Sequence, residues 1–275
     1  MTNTKDVIDK KRVFIHRNET ELSEIVQIRL EDLLKQRGFE VADEYDERVA
    51  LLACIGGDGA FLHFVHQYDF PPRPIIGINT GHLGFFQEIA PDGIENFIDI
   101  YEKENYTIQN VWPVEADVHL TDGMHRHHGV NEIMVSGPHT HITHLRVDIE
   151  NERVQNFSGD GVLISTSLGS TAYNYALGGS IISPELDAFQ LTPIAPSNTN
   201  AYRCFRSSIM YPASLEMTLT PIRRSVDDKL EIVVDGLEYR YANIRKIVLH
   251  RSDKALHLIR FTNYNYWTKL NTKLL

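Results

Sequence analysis

Apolar positions follow two different patterns along this chain, and the change near residue 104 divides it. In the first stretch Val13-Phe14-Ile15-His16 reads as a short strand. Leu22, Ile25, Val26, Leu30, Leu33 and Leu34 then recur at spacings of three and four, which predicts a helix with those residues on one face. Asn18 and Glu21 have capping-box spacing ahead of it, and Lys35, Arg37 and Gly38 supply its stop. The unbroken apolar run 49–55 predicts a second strand, helix-like sequence resumes over 60–65, 74–79 predicts a third strand, and 94–102 a further helix. Strands apolar at every position, alternating with helices, indicate a parallel sheet covered on both faces.

From about Thr107 the segments shorten and become β-branched: 114–120, 142–149, 215–220, 230–234 and 247–249. Turn signals such as Thr121-Asp122-Gly123 and Asp235-Gly236 separate them, and one helix is predicted near 171–177. The expected organisation is therefore an α/β domain over 1–104 followed by a mostly β domain, a sandwich or stacked sheets, over 105–261.

Composition narrows the classes of function. The chain has 275 residues, 42% apolar and 23% charged, as in an ordinary globular protein. Lys+Arg 27 minus Asp+Glu 37 gives −10, which argues against nucleic acid as a partner. A nucleotide ligand stays open, because backbone N–H groups hold phosphates without net positive charge. Cys54 and Cys204 form no disulfide framework or zinc motif. With no apolar leader and no run long enough to span a bilayer, the expectation is a soluble cytoplasmic protein without a membrane partner.

Four stretches offer chemistry. Gly56-Gly57-Asp58-Gly59 lies where a buried strand gives way to a helix, the place where open α/β sheets bind ligands. The glycines let backbone approach phosphates, while Asp58 could bind a metal or accept a proton; a plain capping turn fits the tetrapeptide equally well. Asn79-Thr80-Gly81-His82-Leu83-Gly84-Phe85 follows the next strand and is expected on the same sheet edge. Residues 160–166 lead into Gly169-Ser170-Thr171-Ala172-Tyr173 and Gly178-Gly179, a hydroxyl-rich turn that could hold a ribose, an amide or phosphates, or simply cap a helix. Asn131-Glu132 pairs a carboxylate with an amide, a combination suited to vicinal hydroxyls.

Other features read as structure. His125, His127 and His128 are expected at a solvated hairpin tip, His139, His141 and His144 flank a loop and a strand start and are read the same way, and Arg223-Arg224 is read as surface charge. The chain has no G-x-x-x-x-G-K-[ST], no G-x-G-x-x-G after its first strand and no G-x-S-x-G, which removes the P-loop, Rossmann dehydrogenase and usual serine-hydrolase readings.

In this order, GGDG, NTGHLGF, NE and DGVLISTSLGSTAY followed by GG, the motifs resemble those of the NAD kinase family, over roughly residues 13–261. GGDG is shared with diacylglycerol and sphingosine-type lipid kinases, whereas the 160–173 block is more specific. The resemblance implies an α/β domain and a β-rich domain with the nucleotide between them, and a tail, 262–275, that returns to the first. It implies that Asp58 accepts the proton, that Gly59 contacts nucleotide beside it, and that Gly56, Gly57 and Gly59 form the phosphate loop. Asn131 and Glu132 would hold adenosine-ribose hydroxyls and Asp160 the nicotinamide carboxamide, while Thr171, Ala172, Tyr173, Asn174 and Ala176, with Ala195, would line the NAD site. Ser158 enters the same set, standing where the family often has a basic residue. The implied reaction is transfer of the γ-phosphoryl of ATP, or of polyphosphate, to the 2′-hydroxyl of NAD. A divalent cation such as Mg²⁺ and a homodimer or homotetramer are implied with it. Ala60, Leu168 and Gly236 also depart from the family pattern and bear on the donor and the nicotinamide contacts. A GGDG-type lipid kinase and an NAD-binding regulator without catalysis are the alternatives.

Overall fold

The computed structural model describes residues 8–81, 84–138, 141–198, 203–222 and 229–275. The chain divides into two compact units, residues 1–111 with 254–275, and residues 112–253.

The first unit is built on a six-stranded sheet. Its strands are β1 (Asp9–Arg17), β2 (Glu40–Ala42), β3 (Val49–Gly56), β4 (Pro74–Asn79), β5 (Tyr106–Val111) and, from the far end of the chain, β18 (Leu256–Phe261), in the order β2-β1-β3-β4-β18-β5. All pairings are parallel except that of β5 with β18. Every residue of β3 is buried, which is why its sequence is an unbroken apolar run. Helices α1 (Glu21–Gln36), α2 (Asp58–Gln67), α3 (Ile94–Glu102) and α5 (Tyr266–Leu274) accompany the sheet. The expected boundary shifts: β5 and β18 pair with each other over six residues, so 106–111 and 256–261 join this sheet rather than the β-rich unit.

Two details of α1 differ from the sequence reading. The N-cap is Thr20, whose hydroxyl accepts from Ser23 N, and not Asn18. The buried stripe is Ser23, Val26, Leu30 and Leu34, while Leu22 and Ile25 are 47% and 56% exposed. Turning the helix by one position buries the small Ser23, whose hydroxyl lies 2.5 Å from Thr80 Oγ1 just after β4, and leaves the two larger residues outside.

The second unit is a sandwich of two antiparallel six-stranded sheets. One runs β10 (Glu152–Gly159), β9 (Thr143–Ile149), β14 (Met217–Pro221), β17 (Lys246–Arg251), β6 (Val114–His119), β7 (Met124–Gly129). The other runs β13 (Ile209–Pro212), β12 (Ala188–Ile194), β11 (Gly161–Thr166), β8 (Glu132–Ser136), β15 (Lys229–Val234), β16 (Leu237–Ala242). Alternate residues of both sheets, among them Val118, Val147, Phe157, Val135, Ile164 and Ile232, form one core. The only α-helix among the described residues of this unit is the single turn α4 (Tyr173–Ala176), preceded by a 3₁₀ turn over Leu168–Thr171.

The histidines expected at a hairpin tip lie on β7 instead. His127 Nε2 is 2.8 Å from Tyr241 Oη, and His128 Nδ1 is 3.0 Å from Ser252 Oγ. Thr121-Asp122-Gly123 alone makes the tip. His141 is exposed in its loop and His144 lies at the start of β9, as the expected loop and strand start require; His139 and Arg223-Arg224 lie outside the described residues.

Candidate active site

In the first unit the two glycine loops meet. Gly56 and Asn79 are register partners at the carboxyl ends of β3 and β4, and Thr80 N donates to Gly56 O at 3.4 Å. Gly56 has φ +155°, and a side chain there would meet Ala60 Cβ at 2.5 Å, so the small residue at 60 and the glycine at 56 go together. Gly57 is the N-cap of α2 and supplies no side-chain acceptor, leaving first-turn N–H groups of the helix for an anionic ligand.

Asp58 is the first residue of α2, and its carboxylate turns to the second loop. Oδ2 accepts from Phe85 N at 3.0 Å and Oδ1 from Phe86 N at 3.1 Å. The Lys273 ammonium of α5 reaches Oδ2 at 2.7 Å. A side chain on Gly84 would overlap Asp58 Oδ1 and Gln87 Oε1, so any larger residue there displaces one or both of these side chains. The Gln87 amide is buried with no partner among the described residues.

Behind this loop lies a cationic support. Arg260, buried, donates to Phe85 O at 3.1 Å and Phe86 O at 3.3 Å and pairs with Glu88 at 3.0 Å. Lys269 of α5 donates to Gln87 O and, at 3.4 Å, to Phe85 O. Burial first, and the Arg260 charge second, lower the Lys269 pKa to about 8.

In the second unit the Asn131-Glu132 turn and the 166–171 turn are knitted together. Thr166 N donates to Asn131 O at 2.9 Å, Thr166 Oγ1 donates to Val130 O at 2.7 Å, and Gly169 N donates to Thr166 Oγ1 at 3.0 Å. A side chain on Gly169 would overlap Asn131 O. The hub is Asp235, which in the sequence is only one half of an Asp-Gly turn signal. Its carboxylate accepts from Val130 N, Asn131 N and Glu132 N at 2.7, 2.8 and 3.1 Å. Glu132 lies above it, with Oε2 buried and without a partner among the described residues. Burial, and then the Asp235 charge, push the Glu132 pKa up to about 8. A buried acceptor without a donor is costly, and a ligand hydroxyl would relieve it.

Thr171 and Ala172 are half-buried, and Tyr173 and Ala176 exposed, on the surface of this turn. Asn174 is fully buried instead: its amide donates to Ser170 O and Ser180 O at 3.2 and 3.3 Å and accepts from Thr192 Oγ1 at 2.6 Å. Its side chain ties the turn to Ser180 and to β12. Ser158 is likewise buried within β10, at 4% exposure.

Asp160 and Ala195 come together elsewhere. Asp160 N donates to Ile194 O at 3.1 Å, and Ala195 (φ +44°) packs beside Gly159. They lie at the opposite end of β11 from Thr166, about 20 Å away for six residues of strand. The Asp160 carboxylate is half-buried and has no partner among the described residues.

Neither acidic cluster suits a protein-held divalent cation. Beside Asp58 the Lys273 ammonium already supplies the positive charge. Glu115, Asp117 and His250 converge, but Arg126 Nε lies 2.7 Å from Glu115 and 2.8 Å from Asp117. Among the described residues no helix is long and apolar enough to cross a membrane.

Residues 36–106 match the family model of the ATP-NAD kinase N-terminal domain, and residues 130–261 that of the ATP-NAD kinase C-terminal domain. The NAD kinase of Finegoldia magna is 37% identical over 278 residues, covering 100% of both chains. NAD kinase 1 of Listeria innocua is 31% identical over 236 residues, 83% of this chain and 87% of its own. The solved structure of yeast NADH kinase complexed with NADH matches with a TM-score of 0.80 at 19% identity, over 98% of this chain and 87% of that one. An NAD kinase from Archaeoglobus fulgidus in complex with ATP matches with a TM-score of 0.74 at 21% identity, over 95% and 99%. At these identities the structural likeness is one of fold.

Proposed function

The chain belongs to the ATP-NAD kinase family, and on that premise we propose that it transfers the γ-phosphoryl of ATP to the 2′-hydroxyl of the adenosine ribose of NAD, giving NADP and ADP. The observation that carries the reading is the Asp58 carboxylate, held at the N-terminus of α2 among glycines by two backbone N–H groups. In the proposed step the 2′-hydroxyl oxygen bonds to the γ-phosphorus, the bond from that phosphorus to the ADP oxygen breaks, and the hydroxyl proton passes to Asp58. Phosphoryl transfer has a loose transition state, so positioning and electrostatics contribute more than the base. First-turn N–H groups of α2 suit the phosphates.

Asn131 and Glu132 hold the ribose hydroxyls, supported by the buried Glu132 Oε2, which has no partner among the described residues. Thr171, Ala172, Tyr173 and Ala176 line the same turn. Asp160 and Ala195, at the far end of β11, serve the nicotinamide end of an extended dinucleotide. A divalent cation such as Mg²⁺ arrives with the phosphates of ATP, where it neutralises charge, and the side chains around Asp58 are not its ligands. The buried free thiols Cys54 and Cys204 suit a reducing cytoplasm. A homodimer or homotetramer follows from the family resemblance, and sedimentation tests it.

The test of the reaction is to incubate the protein with ATP, Mg²⁺ and NAD and to place the new phosphate by ³¹P NMR. A 2′-phosphate on the adenosine ribose is expected. Binding of NAD with no phosphorylated product, or label entering only lipid, would remove the reading.

A further inference from the structure

The Asp58 carboxylate is held from two directions, and the second comes from the last turn of the chain. Lys269 and Lys273 lie four residues apart on α5 and so share a face. Tyr266 of the same helix packs on the Phe85 ring, centroids 5.9 Å apart, and the Lys273 ammonium lies 4.3 Å over that ring. This face therefore sits on the segment that donates to Asp58. Arg260 and Lys269 take the Phe85 carbonyl, while the N–H of the same peptide unit, that of Phe86, donates to Asp58 Oδ1. Cations on the carbonyl polarise the peptide and strengthen its N–H as a donor.

Lys273 completes the arrangement at 2.7 Å from Oδ2, with the two side chains 28% and 23% exposed. Oδ2 then has two donors, Phe85 N and Lys273, whereas among the described residues Oδ1 has only Phe86 N. A carboxylate oxygen accepts about two hydrogen bonds. The structure assigns Lys273 as the positioning residue of Asp58: its ammonium fixes Oδ2 and leaves Oδ1 as the oxygen with room to accept the substrate hydroxyl. Lys273 acts through Asp58 and transfers no proton in the reaction. The assignment rests on the proposed kinase reaction and names the atom at which it takes place.

The test is a double-mutant cycle on the full chain. Wild type, Lys273→Met, Asp58→Asn and the double variant are assayed for NADP formation, with Lys273→Arg as rescue and Lys273→Gln as a second neutral variant. Formation of NADP by wild type establishes the reaction separately. The expected result is a loss of kcat of about 10- to 100-fold in Lys273→Met, with KM for NAD within about twofold and most of kcat restored by arginine. In the Asp58→Asn background the same substitution should cost less than about twofold. Thermal unfolding and NAD binding, measured alongside, separate loss of fold from loss of position. Wild-type kcat in both neutral variants would overturn the assignment. So would an equal loss with and without the Asp58 carboxylate, which would place Lys273 on the phosphates instead.

Discussion

Glu132 gives the prediction whose size follows most directly from the structure. Its carboxyl is buried, carries an oxygen without a partner among the described residues, and lies above the negative Asp235. Its pKa is raised from 4.5 to about 8. The folded state therefore holds a proton that the unfolded state releases above pH 4.5, so the stability contribution is fully present below 4.5 and is lost as pH rises to about 8. A rise of 8 − 4.5 = 3.5, at about 1.36 kcal/mol per unit, sets an upper bound of about 5 kcal/mol, reached above pH 8. Relaxation around the charge brings the expected value to about 2–3 kcal/mol.

Glu132→Gln keeps the shape and removes the titration. At pH 5 the variant and wild type should melt within a degree or two of each other; at pH 9 the variant should melt roughly 5–10 °C higher. The same substitution should weaken NAD binding by about 10- to 100-fold, since hydrogen bonds from the ribose to a charged acceptor are lost. Calorimetry in buffers of different ionisation enthalpy should show wild type releasing part of a proton on binding NAD at pH 7, and the variant none. A melting difference that is the same at pH 5 and pH 9 would refute the reasoning.

Two further substitutions test the supports of Asp58 and of the Asn131-Glu132 turn. Gly84→Ala places a methyl against Asp58 Oδ1, so kcat should fall at least about tenfold while NAD affinity holds, as read by steady-state kinetics and calorimetry. Asp235→Ala releases three backbone donors, which should cost about 2–4 kcal/mol in urea unfolding and weaken NAD binding.

The parallel sheet and the place of Asp58 were legible because burial on both faces leaves an unbroken apolar run, and glycines mark where that run ends. Short-range pattern also located the 166–171 turn. What it could not contain was pairing at a distance. Lys273 meets Asp58 across 215 residues, and β18 enters the first sheet from the far end of the chain. Asp235 looked like any hairpin turn, because its three acceptor contacts lie more than a hundred residues away. β7 was hidden because MHRHHG has no apolar alternation; its histidines pack on Tyr239 and Tyr241 instead. Asn174 stood in the motif beside residues that do face outward, and only its partners show that it is interior.

The central claim, that Asp58 is the proton acceptor in phosphorylation of NAD, is tested most directly by Asp58→Asn in the full chain. Turnover is followed as NADP formed from ATP, Mg²⁺ and NAD, and NAD affinity is measured separately. The expected result is a fall in kcat of about 10²-fold or more with NAD affinity nearly unchanged. Turnover near that of wild type would contradict it.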